Sequence, residues 1–243
     1  MEFSPALISA LRDARRVVAL TGSGVSAESG VPTFRQAQVG LWERYDPQQL
    51  ATPEAFCRDP DLVWSWYGWR RGLVRDAEPN AAHAALAELE RRVPRFTLVT
   101  QNVDGLHGRA GSDNVLELHG NLLRTRCPAE DLYVELDEKT EGVPACPNCG
   151  SPLRPDVVWF GEALPVRELE AASGAARGCD VFLSAGTSGL VYPAAGLPHE
   201  ALAAGATVVE VNPEGTPLTP RVHFSLRGKA GEVLPGLVRA AFG

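Results

Sequence analysis

The chain has 243 residues, 44% of them hydrophobic and 22% charged, with a formal net charge of -7. That length and apolar fraction suit one large domain, or a domain carrying insertions, and exclude a disordered chain. The acidic balance argues against nucleic acid or anionic membrane as a partner, since both need a basic footprint.

No run approaches the roughly 18 apolar residues of a membrane span, and the first residues lack a signal-peptide pattern, so a cytoplasmic monomer is expected. Five cysteines are too few for a disulfide scaffold, and Cys146 and Cys149 form a C-x-x-C better explained by a metal.

Residues 7–15 read as an amphipathic helix, with Ser4 and Pro5 placed as N-cap and first helical residue. Val17, Val18, Ala19 and Leu20 form an apolar strand that runs into Gly22, Ser23, Gly24 and Ala27. Strand followed by G-x-G-x-x-A lets the backbone approach a pyrophosphate and aims the next helix's N–H groups at it. Taken alone, the same glycines also suit a plain strand-to-helix turn. The polar and aromatic stretch after Arg35 is too long for a simple connection, which marks a functional loop.

Residues 61–76, DLVWSWYGWRRGLVRD, predict an unusually aromatic helix. Tyr67 and Arg70, three apart, present a phenol and a guanidinium on one face, a pairing suited to a carboxylate in an apolar channel. A packed tyrosine beside a solvated arginine is the alternative. Residues 78–91 predict a further helix opened by Pro79 and Asn80, in which His83 is structural.

Strand 95–100 delivers Gln101, Asn102 and Asp104 to the crevice where doubly wound sheets bind ligands, although N-V-D-G is also turn-forming. Strand 115–118 ends on His119, well placed as a base because its unperturbed pKa lies near neutrality; His107 is the local rival. Later come a helix at 166–177, a strand at 180–185, and Gly186, Thr187 and Ser188 as a second small-residue turn. Strand 207–211 ends near Asn212 and Glu214, where a polar side chain can reach ribose hydroxyls. A strand at 224–226 and a C-terminal helix close the sheet.

Seven segments, GSGVSAESGVPTFR (22–35), TLVTQNVDGLHGRAG (97–111), VLELHGN (115–121), PDVVWFGE (155–162), SAGTSGLVYPAAGLP (184–198), EVNPEGTPLT (210–219) and GKAGEVLPGL (228–237), together resemble the sirtuins, NAD-dependent protein-lysine deacylases. The resemblance spans nearly the whole chain in the family's order. It implies an α/β fold, a doubly wound Rossmann-like parallel sheet built from residues 1–35, 79–121 and 155–243. Inserted in it are a cofactor loop and helical module at 36–78 and a small zinc-ribbon-like module at 122–154.

The resemblance also implies roles. NAD, consumed as a co-substrate, would be bound by Gly22, Ser23, Gly24, Ala27, Glu28, Thr33, Phe34, Arg35, Gln101, Asn102, Asp104, Gly186, Thr187, Ser188, Asn212, Glu214 and Ala230. His119 would be the catalytic base, acting on a ribose hydroxyl after the acyl oxygen has displaced nicotinamide. Acyl-lysine peptide would pair with the strand carrying Val157, Trp159, Phe160 and Gly161. The Y-x-x-R of Tyr67 and Arg70 is similar to the bacterial subgroup that removes succinyl, malonyl or glutaryl as well as acetyl groups.

Two positions depart from the family pattern. Ser23 stands where many sirtuins have alanine. Sirtuins also hold zinc with two C-x-x-C pairs, and here Cys127, Cys146 and Cys149 match while Glu130 takes the second position. Three thiolates and a carboxylate can ligate zinc; a weakened or empty site is the alternative. The residues alone also fit a dehydrogenase, an NAD-dependent ADP-ribosyltransferase, or a noncatalytic NAD or ADP-ribose sensor. Hydride transfer, ADP-ribose left on protein, and binding without turnover would distinguish them.

Overall fold

The computed structural model describes residues 2–32, 46–136 and 142–243. In chain order its elements are α1 (Pro5–Asp13), β1 (Arg16–Thr21), α2 (Ser23–Ser26), α3 (Pro47–Leu50), α4 (Pro53–Arg58), α5 (Pro60–Asp76), α6 (Ala81–Arg92), β2 (Arg95–Thr100), α7 (Leu106–Arg109) and β3 (Val115–Glu117). There follow β4 (Gly120–Cys127), β5 (Leu132–Tyr133), β6 (Arg154–Val157), α8 (Val166–Gly178), β7 (Val181–Ala185), α9 (Leu197–Ala203), β8 (Thr207–Asn212), β9 (Phe224–Arg227) and α10 (Ala230–Phe242).

The large sheet has six strands in the order β3-β2-β1-β7-β8-β9, every pair parallel. The six strands expected from the sequence are these six. The central strands β1, β7 and β8 read as near-continuous apolar runs because helices cover both faces. On one face Val17, Ala19, Leu98, Leu183 and Val209 pack with α1, α6 and α10; on the other Val18, Leu20, Val99, Phe182 and Val208 meet α8 and α9. The chain winds outward from β1 to β3, then restarts at β7 on the opposite side. The switch point therefore lies between β1 and β7, where such sheets open a ligand crevice at their carboxyl ends.

Helix starts follow their caps. Asp59 accepts from Leu62 N–H and starts α5 at Pro60. Asn80 and the His83 ring form a reciprocal capping box that starts α6 at Ala81, three residues later than expected. Ser4 precedes α1 in the N-cap position but makes no side-chain cap bond; Pro5, with its preset φ, opens that helix instead.

The second sheet is antiparallel, β5-β4-β6, and its strands extend from Gly120 to Val157, beyond both ends of 122–154. It shares a core with the helical segment: Phe56, Val63, Trp66, Tyr67 and Val74 pack with Leu122, Val157 and Trp159. Arg71 ties the two together. Buried against the Trp64 ring at 4.6 Å, it donates to the Leu122 carbonyl at 2.8 Å and the Thr125 hydroxyl at 3.1 Å. Among the described residues no helix is long and apolar enough to cross a membrane.

Candidate functional site

At the switch point the glycines after β1 lie against the loop after β7. Gly24 N–H donates to the Gly186 carbonyl at 2.8 Å and Gly22 N–H to the Ala185 carbonyl at 3.2 Å. A Cβ on Gly24 would come within 2.8 Å of Gly186 backbone atoms, and one on Gly186, where φ is +59°, within 2.5 Å of Val25 N. The glycines thus let two loops close on each other, which brings 22–24 and 186–188 together as one backbone cradle. Ser23 and Ser188 are exposed on it.

The ends of β1 and β2 support a buried polar network. Asp104 accepts from Ser26 Oγ at 2.7 Å and from Leu106 N–H at 2.9 Å. Asn102 spends its amide N–H bonds on the Gly22 carbonyl at 3.1 Å and on Ser26 Oγ at 2.9 Å. Its amide oxygen is what remains for a ligand. Behind them, His83 accepts Asn80 N–H at Nδ1, which leaves its Nε2 proton for Ser26 Oγ at 3.4 Å. Thr21 bridges Thr100 and His107, and the His83 and His107 rings lie 4.8 Å apart. Burial drives both imidazoles below their ordinary range, His107 to about 3. His107 is therefore a neutral structural residue; Ser26, Thr21 and Thr100 are members that sequence reading missed.

His119 follows β3, half-buried, with Nδ1 2.9 Å from the Gln101 carbonyl. A carbonyl only accepts, so Nδ1 carries the proton and Nε2 is a free base. Burial lowers the pKa, outweighing the opposing effect of the Gln101 bond. The next residue must be glycine: φ is +80° at Gly120 and a Cβ would sit 2.2 Å from the Asp156 carbonyl. That close approach pins His119 between the two sheets, and its own carbonyl receives Val158 N–H at 3.0 Å.

On the far side of the crevice, Gln101 Nε2 donates to Thr187 Oγ1 at 3.0 Å and Asn212 Nδ2 to the Thr187 carbonyl at 2.8 Å. Glu28 accepts from Gly231 N–H at 2.8 Å beside buried Ala230, joining the glycine turn to α10. Ala27 is exposed. The Glu214 carbonyl, rather than its carboxylate, is held by Arg227. Thr33, Phe34 and Arg35 lie outside the described residues.

Tyr67 and Arg70 sit together as the helix spacing predicts. The Arg70 Cζ lies 5.7 Å from the Tyr67 ring centroid and 5.0 Å from that of Trp66. Tyr67 is fully buried, and burial pushes its phenol up to about 12. Its hydroxyl accepts the Trp159 indole N–H at 2.9 Å. Val157 is also buried, while Phe160 is 46% exposed and Gly161 adopts φ +88°. This segment is held by Arg154, stacked 3.3 Å from the Trp159 ring centroid and paired through two nitrogens with Glu162 at 2.5 and 2.9 Å.

Cys127, Glu130, Cys146 and Cys149 converge, their ligand atoms all within 4.8 Å of one another. Cys127 and Cys149 sulfurs are 3.5 Å apart, as are Cys146 sulfur and a Glu130 oxygen. Tetrahedral zinc with bonds of about 2.0–2.3 Å needs its donors roughly 3.5 Å apart, so these four residues can hold a zinc ion. Glu130 occupies the position of the absent cysteine.

The Sir2 family model matches residues 22–193. The NAD-dependent protein deacylase of Methylococcus capsulatus is 52% identical over 249 residues, covering 99% of this chain and 98% of that protein. A solved Sir2 homolog in complex with NAD superposes with a TM-score of 0.94 at 50% identity, over 99% of this chain and 94% of that one. Sir2 bound to acetylated peptide superposes at 0.88 and 30% identity, with 98% of each chain covered.

Proposed function

This chain belongs to the Sir2 family, and we propose that it removes acyl groups from protein lysines, consuming NAD and releasing nicotinamide and O-acyl-ADP-ribose. The observation that carries the reading is the tautomer of His119: with Nδ1–H committed to Gln101, Nε2 is the unprotonated base at the mouth of the crevice. When bound, NAD supplies the electrophilic ribose carbon that takes up the acyl oxygen. His119 Nε2 then accepts the proton of a ribose hydroxyl, which the depressed pKa keeps it ready to do at neutral pH.

The chain's remaining residues bind and orient. The cradle of Gly22, Ser23 and Gly24 with Gly186, Thr187 and Ser188 takes the phosphates and the adenosine side. The Asn102 amide oxygen and the Asp104 carboxylate, held by Ser26, receive the nicotinamide end. The segment through Phe160 and Gly161 receives the peptide backbone, and the net charge of -7 favours local recognition of a protein segment over nucleic acid. Zinc held by Cys127, Glu130, Cys146 and Cys149 would be structural, because all four are protein ligands and leave no open position.

The acyl group enters beside Arg70 and Tyr67, and the proposal extends to succinyl and malonyl groups, whose carboxylate would meet these two donors. Because Tyr67 is sealed, the pocket walls part as the acyl chain enters. The test is nicotinamide release with acetyl-lysine and succinyl-lysine peptides of one sequence, repeated for Arg70→Met. Preference for succinyl that Arg70→Met abolishes supports the clamp. Acetyl preference unchanged by that substitution refutes it, and no nicotinamide from either peptide refutes deacylation.

A further inference from the structure

We infer that Trp159 is a positioning residue for acyl-group selectivity: its indole N–H occupies the acceptor side of the Tyr67 hydroxyl and thereby fixes that phenol as a hydrogen-bond donor toward the acyl group. The inference rests on the proposed reading that Arg70 and Tyr67 recognise an acyl carboxylate.

A phenol can donate or accept, whereas an indole N–H only donates. With Trp159 Nε1 2.9 Å from the Tyr67 oxygen, the hydroxyl proton cannot point at the indole. The proton is therefore left to point at some other acceptor, and the acyl carboxylate is the one the proposed reading supplies. Burial raises the Tyr67 pKa to about 12, which keeps this proton in place. A carboxylate accepts only, so a hydroxyl already set as donor binds it without first reorienting.

The indole is itself fixed. The Arg154 guanidinium lies 3.3 Å from its ring centroid, the Trp159 backbone N–H donates to Glu162 at 2.7 Å, and Glu162 closes the two-pronged pair with Arg154. Phe56 packs against the same ring at 5.3 Å between centroids. Glu162, Arg154, Trp159 and Tyr67 thus form a connected series from the peptide-binding segment to the acyl pocket. Phenylalanine at 159 would fill much of the same space but leave the Tyr67 proton free to rotate.

The experiment is a double-mutant cycle of Trp159→Phe and Tyr67→Phe, read as the ratio of kcat/KM for succinyl-lysine over acetyl-lysine peptides of identical sequence. The ratio cancels any effect on peptide backbone binding or on the fraction folded, because both peptides share it. Trp159→Phe is expected to lower the ratio about fivefold, the size of one net hydrogen bond. In the Tyr67→Phe background it should lower it no further. An unchanged ratio, or an equal drop in both backgrounds, overturns the inference.

Should Trp159→Phe fail to fold, site-specific 3-benzothienylalanine at 159, which keeps the bicyclic shape without the N–H, carries the same expectation. Arg70→Met run in parallel separates the two failures. If it leaves the ratio unchanged the carboxylate reading itself falls; if it lowers the ratio while Trp159→Phe does not, only the role of Trp159 falls.

Discussion

His119 Nδ1 lies 2.9 Å from the carbonyl oxygen of Gln101, so the end of one strand sets the protonation pattern of the base that follows its neighbour. Burial lowers the pKa of that imidazole below its ordinary range, and the working form is neutral. Deacylation should therefore fall on acidification with an apparent pKa below the usual value of about 6.5, and stay level above it. His119→Ala should reduce kcat by about 100-fold or more while NAD binding persists by calorimetry. A limb above pH 7 would assign the titration to another group.

Acid should also loosen the fold through His83 and His107. Both have lowered pKa values, His107 at about 3, so the unfolded chain binds protons that the folded chain refuses. The His107 contribution is full above about pH 6.5 and is lost as pH falls toward 3, on the order of 1 kcal/mol per pH unit, and His83 acts in the same direction. Thermal melts between pH 7 and 4 should show a steady decline in Tm. A flat profile would contradict the buried neutral assignment.

Much of this architecture was legible in advance. The central strands β1, β7 and β8 are almost wholly buried and read as short apolar runs, and the glycines that allow two loops to meet stand out in any sequence. The polar network was less legible: Ser26 meets Asp104 from 78 positions away, and Thr21 meets His107 from 86. Nothing local marks such pairs, because strand order alone brings them together. The Arg154 and Glu162 pair around Trp159 escaped notice for a different reason, since a charged pair eight residues apart normally signals a solvated surface. Asn80 and His83 show the converse, a histidine correctly read as structural whose capping role set the helix start.

Glu210 should govern affinity for NAD. This carboxylate, 2% exposed, accepts the Thr216 hydroxyl, the Thr219 hydroxyl at 2.6 Å and the Ser225 hydroxyl at 3.4 Å, and Arg227 stands 3.8 Å away. It anchors the loop after Asn212, which the proposed binding mode places on the adenosine side of the crevice. Glu210→Gln should raise the KM for NAD several-fold with little change in kcat, and lower stability by about 2 kcal/mol. Equal loss in kcat and KM would place its role elsewhere.

Metal removal should unfold the small sheet first. Its cluster of Cys127, Cys146 and Leu153 is small, and a module that poor in apolar contacts depends on metal. Elemental analysis should find about one zinc per chain. Glu130→Cys should slow zinc loss to a chelator and Glu130→Ala should speed it, each with a matching change in Tm. Identical rates in all three proteins would remove Glu130 from the ligand set.

The most direct test of the account is the mass balance of one turnover. NAD and a succinyl-lysine peptide are mixed with the protein or with His119→Ala, and the products are identified by mass spectrometry. The account predicts one nicotinamide and one O-succinyl-ADP-ribose for each lysine freed; with the variant, free lysine and O-succinyl-ADP-ribose should fall by about 100-fold or more, while nicotinamide can still be displaced. Free succinate with NAD intact, or ADP-ribose left on protein, would contradict it.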